Sequence, residues 1–295
     1  MSQSVGGSGV RVRVPGSTAN LGSGFDALGM ALGVYDEIVV RPAVATAVHV
    51  TGEGAGEVPL DERHLVLRAL RAAAAKLGVD PGPVELVCAN AIPHSRGLGS
   101  SAAAIVAGVA AAYGLAGRPL DDEALHLAAE FEGHADNIAA SVLGGFVVAW
   151  RDERGFRAAR LEPHPDLRVT AIVPAERSDT HVTRGLLPDA VPHADAAHAA
   201  GRAALAVHAL TSAPELLLPA TADKLHQDYR ESAYPVTLRL VRELRARGVA
   251  AVVSGAGPTV LALSTSPDLP DGLDLGGFTA LPVDVDRSGV SVEAV

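Results

Sequence analysis

The chain has 295 residues, of which 48% are hydrophobic and 20% charged, and a formal net charge of −10 at pH 7. This length suggests two domains of roughly 150 residues each. The single cysteine, Cys88, excludes a disulfide framework and a cysteine-based zinc site. An acidic chain with scattered arginines does not fit a nucleic-acid-binding protein. The most apolar run, residues 102–116, is too short and too rich in alanine for a membrane span. We therefore expect a cytoplasmic protein.

Strands and helices alternate in the first half of the chain. Apolar and β-branched runs predict strands at 10–14, 37–41, 47–51, 84–88 and 145–150. Helical periodicity predicts helices at 63–77, 100–113 and 121–131. The first of these helices has Asp61 as a candidate N-cap and Gly78 at its stop position.

The second half repeats this mixed pattern. The charged stretch 151–160 reads as an exposed hairpin or linker, so we divide the chain into domains 1–160 and 161–295. The pattern then predicts a strand at 168–173, helices within 194–210 and 223–247, and strands near Val249 and Val260. Residues 276–295 are weakly patterned and are expected to close with a strand. Strands interleaved with helices indicate an α/β or α+β protein.

A glycine-rich loop at residues 93–102, Pro-His-Ser-Arg-Gly-Leu-Gly-Ser-Ser-Ala, leads directly into a long predicted helix. Glycines let backbone N–H groups approach an anion, and a helix N-terminus adds unpaired donors and a positive dipole. Phosphate binding is one interpretation, and an ordinary serine N-cap after a glycine turn is the other. The loop also matches a dinucleotide fingerprint, but it does not follow a strand directly. A Walker A loop is excluded because no Gly-Lys-Ser/Thr occurs.

Three further polar segments are candidates for a site. Residues 15–29 form a long loop of glycines and small polar residues with Asn20 and Asp26, which could also be a turn with Asx caps. Residues 130–137 gather three acids, a histidine and an amide, which suit Mg²⁺ or merely cap a helix at 137–143. Residues 254–259 form either a hairpin turn or an anion-binding glycine turn.

Taken together, these segments resemble the GHMP kinase superfamily and, within it, the homoserine kinase family. The resemblance rests on three ordered motifs, at 17–29, 93–103 and 254–259, and covers nearly the whole chain. It implies transfer of the ATP γ-phosphate to the side-chain hydroxyl of L-homoserine, giving O-phospho-L-homoserine for threonine biosynthesis. It also implies an α+β fold with an N-terminal domain like ribosomal protein S5 and a C-terminal ferredoxin-like domain. Mg²⁺ as the cofactor and a homodimer are expected on the same basis.

The resemblance also implies roles for individual residues. The ATP-binding residues would be Pro93, Arg96, Gly97, Leu98, Gly99, Ser100 and Ser101. Mg²⁺ would be held by Ser101 and Glu130, with Glu132 as a fallback ligand, and Thr180 would lie near the reacting hydroxyl. The substrate-binding residues would be Asn20, Asp26, His134, Asp136, Asn137, Arg184 and Arg230.

Within that set, Asp26 would face the homoserine ammonium, and Arg184 and Arg230 would clamp its carboxylate. No general base is assigned, because pairing with an ammonium lowers the basicity of Asp26. No adenine contact is assigned either, since His64 stands where an asparagine is common in the family. The alternatives are another GHMP kinase acting on mevalonate, a diphosphocytidyl intermediate or a sugar, a catalytically inactive GHMP-fold regulator, and a nicotinamide dehydrogenase.

Overall fold

The computed structural model describes residues 3–4, 9–175, 177 and 183–295. The strands, in chain order, are β1 (Gln3–Ser4), β2 (Val10–Ala19), β3 (Leu28–Pro42), β4 (Ala47–Gly52), β5 (Val79–Asp80), β6 (Val84–Asn90), β7 (Phe146–Asp152), β8 (Gly155–Leu161), β9 (Arg168–Pro174), β10 (Ala250–Val253), β11 (Val260–Ser264), β12 (Phe278–Val283) and β13 (Ser291–Ala294). The helices are α1 (Leu65–Leu77), α2 (Ser100–Leu115), α3 (Asp122–Glu132), α4 (Asp136–Leu143), α5 (His193–Thr211), α6 (Leu217–Ala220) and α7 (Pro235–Ala246). Short 3₁₀ turns lie at Pro214–Leu216 and Asp228–Arg230.

A seven-stranded sheet is built mostly from the first half of the chain, and five of its strands follow the order β13-β2-β3-β6-β4. Strand β7 pairs with β3, and β8 extends the sheet from β7. Strands β2 and β3 are much longer than predicted, because a register shift between Pro15 and Gly16 lets pairing continue up to Ala19 and Gly29. A bulge of this kind tolerates a proline that would otherwise end the ladder. The predicted strand at 37–41 is therefore only part of β3.

The second sheet has four antiparallel strands in the order β10-β11-β9-β12. Side chains of β10 alternate between its two faces: Val252 belongs to the core that continues into the first sheet, and Ala251 and Val253 belong to a smaller core. Leu238 and Leu244 of α7 pack into that smaller core. Because successive side chains of a strand point to opposite faces, one face of this sheet packs into the large core that it shares with the first sheet. This architecture confirms an α+β fold.

The chain crosses between the two sheets more than once. The charged stretch at 151–160 forms the turn and flanks of the antiparallel hairpin between β7 and β8. The chain then enters the second sheet at β9, but β13 returns and pairs with β2, Val292 opposite Val12. The first sheet therefore includes a strand from beyond residue 161.

The helix ends explain how the loops are placed. Gly78 ends α1 in the left-handed conformation, as predicted, but Asp61 does not cap this helix. Its carboxylate accepts instead from the backbone N–H and the guanidinium of Arg63. Asp121 does cap α3, accepting from the N–H of Ala124 at 3.0 Å. Among the described residues, no helix combines the length and the apolar character needed to cross a bilayer.

Candidate active site

The glycine-rich loop, the N-terminal polar segment and the 254–259 turn meet at one cleft. Its lining also includes side chains from the start of α4 and from two arginines distant in sequence. The lining residues are Ala19, Asn20, Phe25, Asp26, Ser95, Arg96, Gly97, Leu98, Gly99, Ser100, Ser101, Glu132, His134, Asp136, Asn137, Arg184, Arg230, Gly255 and Ala256. The folding of the chain thus brings three motifs together that are far apart in the sequence.

The glycine-rich loop owes its shape to two glycines in the left-handed conformation, Gly97 at φ 76° and Gly99 at φ 73°. A Cβ on Gly97 would lie 2.3 Å from the carbonyl oxygen of Ser254, so only glycine fits against this turn. The Ser254 hydroxyl donates to the Gly97 carbonyl at 2.6 Å, and the Ser17 N–H donates to the Leu98 carbonyl at 3.0 Å. The loop is therefore clamped between the first and third motifs.

The loop ends at the N-terminus of α2, and Gly99 is the N-cap residue of this helix. A glycine N-cap supplies no side chain to the first-turn N–H groups, so these donors remain available to a ligand. Ser100 and Ser101, both in the lining, add hydroxyls at the same place. Backbone donors, hydroxyls and the positive end of a buried helix make this part of the cleft suitable for phosphate groups.

Two of the predicted ATP-binding residues, Pro93 and Arg96, differ from the rest in their relation to the cleft. Pro93 is not among the residues that line the cleft. Arg96 lines it, but its guanidinium donates to the backbone carbonyls of Pro174 at 2.9 Å and Ala175 at 2.9 Å. The Arg96 side chain therefore ties the glycine-rich loop to the end of β9.

The acidic partner of Ser101 is Glu132. The Ser101 hydroxyl donates to Glu132 Oε1 at 2.8 Å, and both residues line the cleft. The predicted ligand, Glu130, lies outside the cleft; its side chain is 54% exposed and its carboxylate is 3.7 Å from Nε2 of His126. Residues two apart on a helix point in nearly opposite directions, so one of these glutamates must face away from Ser101. Of the two glutamates, the fallback candidate Glu132 lies beside Ser101 in the cleft and the first candidate Glu130 does not.

These two residues form an oxygen donor pair. Mg²⁺ is usually bound by one or two protein oxygens together with substrate phosphates and water. One hydroxyl and one carboxylate beside a helix end suited to phosphate fit that pattern. In the described part of the chain, no group of three or more His, Cys, Asp or Glu residues could hold a metal without such help.

The N-terminal polar segment is held in place by its own amide. Asn20 is buried and left-handed, with φ 71°. Its Oδ1 accepts from the Asp26 N–H at 3.0 Å, and its Nδ2 donates to the Gly255 carbonyl at 2.9 Å. Both ends of the amide are engaged, so Asn20 fixes the segment against the third motif. On the opposite wall, Asn137 Oδ1 accepts from the Ser17 hydroxyl at 3.0 Å.

His134 and Asp136 form a hydrogen-bonded pair at the start of α4, with 2.9 Å between Nδ1 and Oδ1. Burial by itself lowers the pKa of His134, but the hydrogen bond and negative charge of Asp136 outweigh it, so the pKa lies above its ordinary value. The same Asp136 oxygen accepts from the Asn137 N–H at 2.8 Å. Below the raised pKa of His134, its protonated ring places a positive charge in the cleft wall, paired with the Asp136 carboxylate.

Two arginines and one carboxylate occupy the remaining wall. Arg184 forms an ion pair with Asp26 across the cleft. Arg230 is buried, with 2% exposure, and within the described residues its Nε has no hydrogen-bond partner. A buried cation with an unused donor is unfavourable unless a ligand or water supplies an acceptor. Thr180, predicted to lie near the reacting hydroxyl, is outside the described residues.

The ring of Phe25 lies near both arginines. Its ring centroid is 5.5 Å from Cζ of Arg184 and 6.0 Å from Cζ of Arg230, distances at which a guanidinium is attracted to an aromatic face. Phe25 is not among the predicted site residues, although it stands between Gly24 and Asp26 in the first motif. A lone aromatic residue in a glycine-rich polar loop was the available signal.

A second cavity adjoins the cleft at the N-terminus of α2, since Ser100 and Ser101 line both. Its walls are mostly apolar, with Ile38, Val66 and Ala104 among them. His64 lies in this wall, buried, and within the described residues its Nδ1 lacks a hydrogen-bond partner. Burial and the nearby His94 lower the pKa of His64, so the ring is neutral and offers one donor and one acceptor.

Comparisons with known proteins agree with this geometry. A family model described as the GHMP kinases N terminal domain matches residues 64–145, and one described as GHMP kinases C terminal matches residues 201–273. A homoserine kinase of Streptomyces avermitilis is 53% identical over 290 residues, covering 96% of this chain and 95% of that protein. A homoserine kinase of Rhodococcus erythropolis is 52% identical over 301 residues, with coverages of 96% and 95%.

Among solved structures, the crystal structure of homoserine kinase from Cytophaga hutchinsonii matches with a TM-score of 0.85 at 27% identity, and the match covers 97% of both chains. The sequence and structural matches therefore extend over the cleft and both sheets. The chain belongs to the GHMP kinases and, within them, to the homoserine kinase family, which makes it an ATP-dependent kinase that phosphorylates an alcohol.

Proposed function

We propose that this protein transfers the γ-phosphate of ATP to the side-chain hydroxyl of L-homoserine, giving O-phospho-L-homoserine for threonine biosynthesis. The observation that carries the proposal is the charge pattern of the cleft. Two guanidinium groups and one carboxylate, those of Arg184, Arg230 and Asp26, share the cleft with a phosphate-binding helix end. A zwitterionic amino acid matches that pattern, and a neutral sugar or a simple carboxylic acid does not.

The ATP phosphates would lie on the loop at 97–101 and at the N-terminus of α2. There the backbone N–H groups stabilise charge on the phosphates without a Walker lysine. The base would occupy the second cavity, because most of the exposed surface of that cavity is apolar and it shares Ser100 and Ser101 with the cleft. His64 would supply a hydrogen bond to the adenine edge from its buried, neutral ring.

Ser101 and Glu132 would hold Mg²⁺ together with the phosphate oxygens of ATP. The ion, when bound, would neutralise negative charge that develops on the transferring phosphoryl group. Ser101 and Glu132 are hydrogen-bonded to each other at 2.8 Å, so the two oxygens already lie side by side. Glu130 has no part in this proposal because it lies outside the cleft.

Homoserine would bind by replacing the ion pair between Arg184 and Asp26. Its carboxylate would accept from Arg184 and from the unused donor of Arg230, and its ammonium would face Asp26. Arg184 and Asp26 each exchange one ionic contact for another, so the free-energy cost of removing these charges from water is largely offset by the new contacts with the substrate. His134, Asp136 and Asn137, on the opposite wall, would border the substrate side chain.

We propose direct in-line transfer without a dedicated general base. The transition state of phosphoryl transfer is loose, so positioning and charge neutralisation contribute more than deprotonation of the alcohol. Asp26 pairs with Arg184 in the free protein and would face the substrate ammonium in the complex, so its carboxylate is committed to charge pairing rather than to proton abstraction. The hydroxyl proton would leave to phosphate or solvent.

A coupled ADP-release assay tests the activity. Purified protein is supplied with ATP, Mg²⁺ and, in separate reactions, L-homoserine, L-threonine, L-serine or mevalonate. We expect turnover to be highest with L-homoserine and to depend on Mg²⁺. Absence of ADP release with L-homoserine, while another acceptor is used, would refute the assignment of the substrate.

Variants test the charge pattern. Arg230→Ala should raise the KM for homoserine and leave the KM for ATP nearly unchanged, because Arg230 lies at the substrate end. Arg242→Ala is the matched control, since Arg242 is a paired arginine in the same half of the chain, bound to Glu231 away from the cleft. Equal effects of both variants would contradict the proposed carboxylate clamp.

We also propose a cytoplasmic homodimer. The single cysteine, Cys88, is buried and unpaired, which suits a reducing compartment that also supplies ATP. The dimer is expected from the family resemblance. Analytical ultracentrifugation at micromolar concentration would distinguish a 60-kDa species, roughly twice the 30.0-kDa chain, from a monomer.

A further inference from the structure

A buried histidine lies directly behind Arg230. His226 is fully buried, and its Nδ1 is 2.5 Å from Nη1 of Arg230. Its other nitrogen, Nε2, is 2.8 Å from the carbonyl oxygen of Gly22, in the first motif. The ring therefore connects a substrate-facing arginine of the second half of the chain to the N-terminal polar segment.

The partners of His226 determine its tautomer. A guanidinium has only donors, so Nδ1 must be the acceptor from Arg230. A carbonyl oxygen has only lone pairs, so Nε2 must carry the proton that it shares with Gly22. Burial lowers the pKa of His226, which agrees with a neutral ring in this arrangement.

The surroundings keep this ring in one position. Phe25 stacks on it with 5.2 Å between the ring centroids and an interplanar angle of 28°. Asp223, whose side chain is buried, lies 3.8 Å from Nε2 and accepts from the backbone N–H groups of Leu225 and Gln227. Its negative charge compensates part of the positive charge of Arg230. The ring, the aromatic face and the carboxylate form a rigid support for one guanidinium.

We infer that His226 is a positioning residue, which accepts one hydrogen bond from Arg230 and so aims its remaining donors at the substrate carboxylate. Without this acceptor the guanidinium could rotate about its terminal bonds, and its fork would no longer match a carboxylate. The inference rests on the proposed function, because it assigns that carboxylate to an amino-acid substrate. It adds a residue that does not line the cleft.

Two isosteric substitutions separate the two hydrogen bonds of the ring. In His226→Gln the amide reaches the place of Nε2, so the contact with Gly22 is kept and the acceptor for Arg230 is lost. In His226→Asn the Oδ1 atom takes the place of Nδ1, so the acceptor is kept and the contact with Gly22 is lost. We expect the Gln variant to raise the homoserine KM about tenfold, as when a charged donor loses one hydrogen bond. The KM for ATP should not change.

The Asn variant is expected to recover most of that loss. A residue with only a structural role would give the opposite order or no difference, because both variants remove one hydrogen bond from a buried ring. Thermal unfolding of both proteins provides the control for folding. If the Asn variant, folded, has a homoserine KM as high as that of the Gln variant, the inference is wrong.

A substrate lacking the carboxylate gives a second readout. 3-Aminopropan-1-ol has the hydroxyl and the ammonium of homoserine but no carboxylate. His226→Gln should lower kcat/KM for L-homoserine and leave kcat/KM for 3-aminopropan-1-ol nearly unchanged, because Arg230 has nothing to bind there. A loss by the same factor for both substrates would overturn the inference.

A double-mutant cycle with Arg230→Ala tests whether the effect passes through the arginine. In the Arg230→Ala background, His226→Gln should have no further effect on the homoserine KM. A tenfold effect that persists in that background would contradict the inference. Should the Gln variant not fold, ¹⁵N NMR of histidine-labelled wild-type protein tests the inference by reporting the tautomer of His226. An Nδ1–H tautomer or a protonated ring would refute the proposed hydrogen bond from Arg230.

These outcomes are separable from failure of the proposed function. If the wild-type protein does not phosphorylate L-homoserine, the substrate assignment fails before any variant is compared. If the wild type does, and the Gln variant matches it in KM, only the role of His226 is refuted.

Discussion

Gly99 is a position in the phosphate loop where the fold depends directly on the absence of a side chain. Its φ of 73° is left-handed, and a Cβ would lie 2.1 Å from Oγ and 3.0 Å from the carbonyl oxygen of Ser17. Gly117, beyond the other end of α2, is left-handed too, with φ 64°, but a Cβ there would meet nothing within 4 Å. The pair Gly99→Ala and Gly117→Ala therefore separates backbone strain from steric clash.

The magnitudes follow from these contacts. Left-handed strain for alanine amounts to roughly 1–2 kcal/mol at either site. The clash at Gly99 adds about 1–3 kcal/mol, the usual effect of overpacking. We expect Gly99→Ala to destabilise the protein by about 2–5 kcal/mol and Gly117→Ala by about 1–2 kcal/mol. Because the Ser17 hydroxyl also donates to Asn137, Gly99→Ala should in addition lower kcat/KM for both substrates at least tenfold.

Urea unfolding measures the stability term, followed by far-UV circular dichroism and by the fluorescence of Trp150, the single tryptophan. Coincidence of the two transitions would justify a two-state free energy. Steady-state kinetics at saturating Mg²⁺ measure the catalytic term. If Gly99→Ala is as stable and as active as Gly117→Ala, the close approach of Ser17 to the loop does not constrain this protein, and the proposed architecture of the phosphate site is wrong.

Three further predictions concern the chemistry of the cleft. Glu132→Gln should lower kcat at least tenfold and raise the Mg²⁺ concentration needed for half-maximal rate, whereas the kcat of Glu130→Gln should stay within about twofold of wild type. The reverse order would identify Glu130 as the metal ligand instead. Asp26→Asn should raise the homoserine KM with most of kcat retained; abolished turnover at an unchanged KM would instead identify Asp26 as a general base. The raised pKa of His134 means that its pairing with Asp136 stabilises the folded protein fully below about pH 6.5 and that this contribution is lost as the pH rises through the raised pKa. Urea unfolding of wild type and His134→Gln should therefore show a gap that is largest near pH 6 and shrinks by pH 9, and a gap that widens with pH would contradict this sign.

Local signals in the sequence were sufficient for much of the fold. Helix α2 was predicted to begin at residue 100, where it does, because a glycine loop and two serines precede an apolar run. Gly78 ends α1 as predicted, and α3 begins within one residue of its predicted start, since both effects involve residues only a few positions apart. Strands β2 and β3 were predicted too short, because residues 15–29 were read as a polar loop and only the paired register reveals the bulge.

The site was harder to predict where side chains choose between partners. Glu130 and Glu132 are chemically identical candidates, and only the phase of α3 against Ser101 separates them. Arg96 appeared to face phosphate, yet its donors go to the carbonyls at the end of β9. His226 has no motif of its own, because its role depends on a carbonyl about 200 residues away in the chain, at Gly22. Contacts of this range follow from topology, which composition and spacing do not encode.

Strand β13 has a consequence for how the molecule is made. It completes the edge of the first sheet beside β2, but it is the last strand in the chain and is synthesised after every strand of the second sheet. Until then the hydrogen-bonding groups of β2 at this edge are open to other chains, as in any unpaired edge strand. The sequence sets two arginines, Arg11 and Arg13, at exposed positions along that edge, a charge pattern that discourages intermolecular pairing. These two charges thus oppose aggregation through the β2 edge until β13 pairs with it.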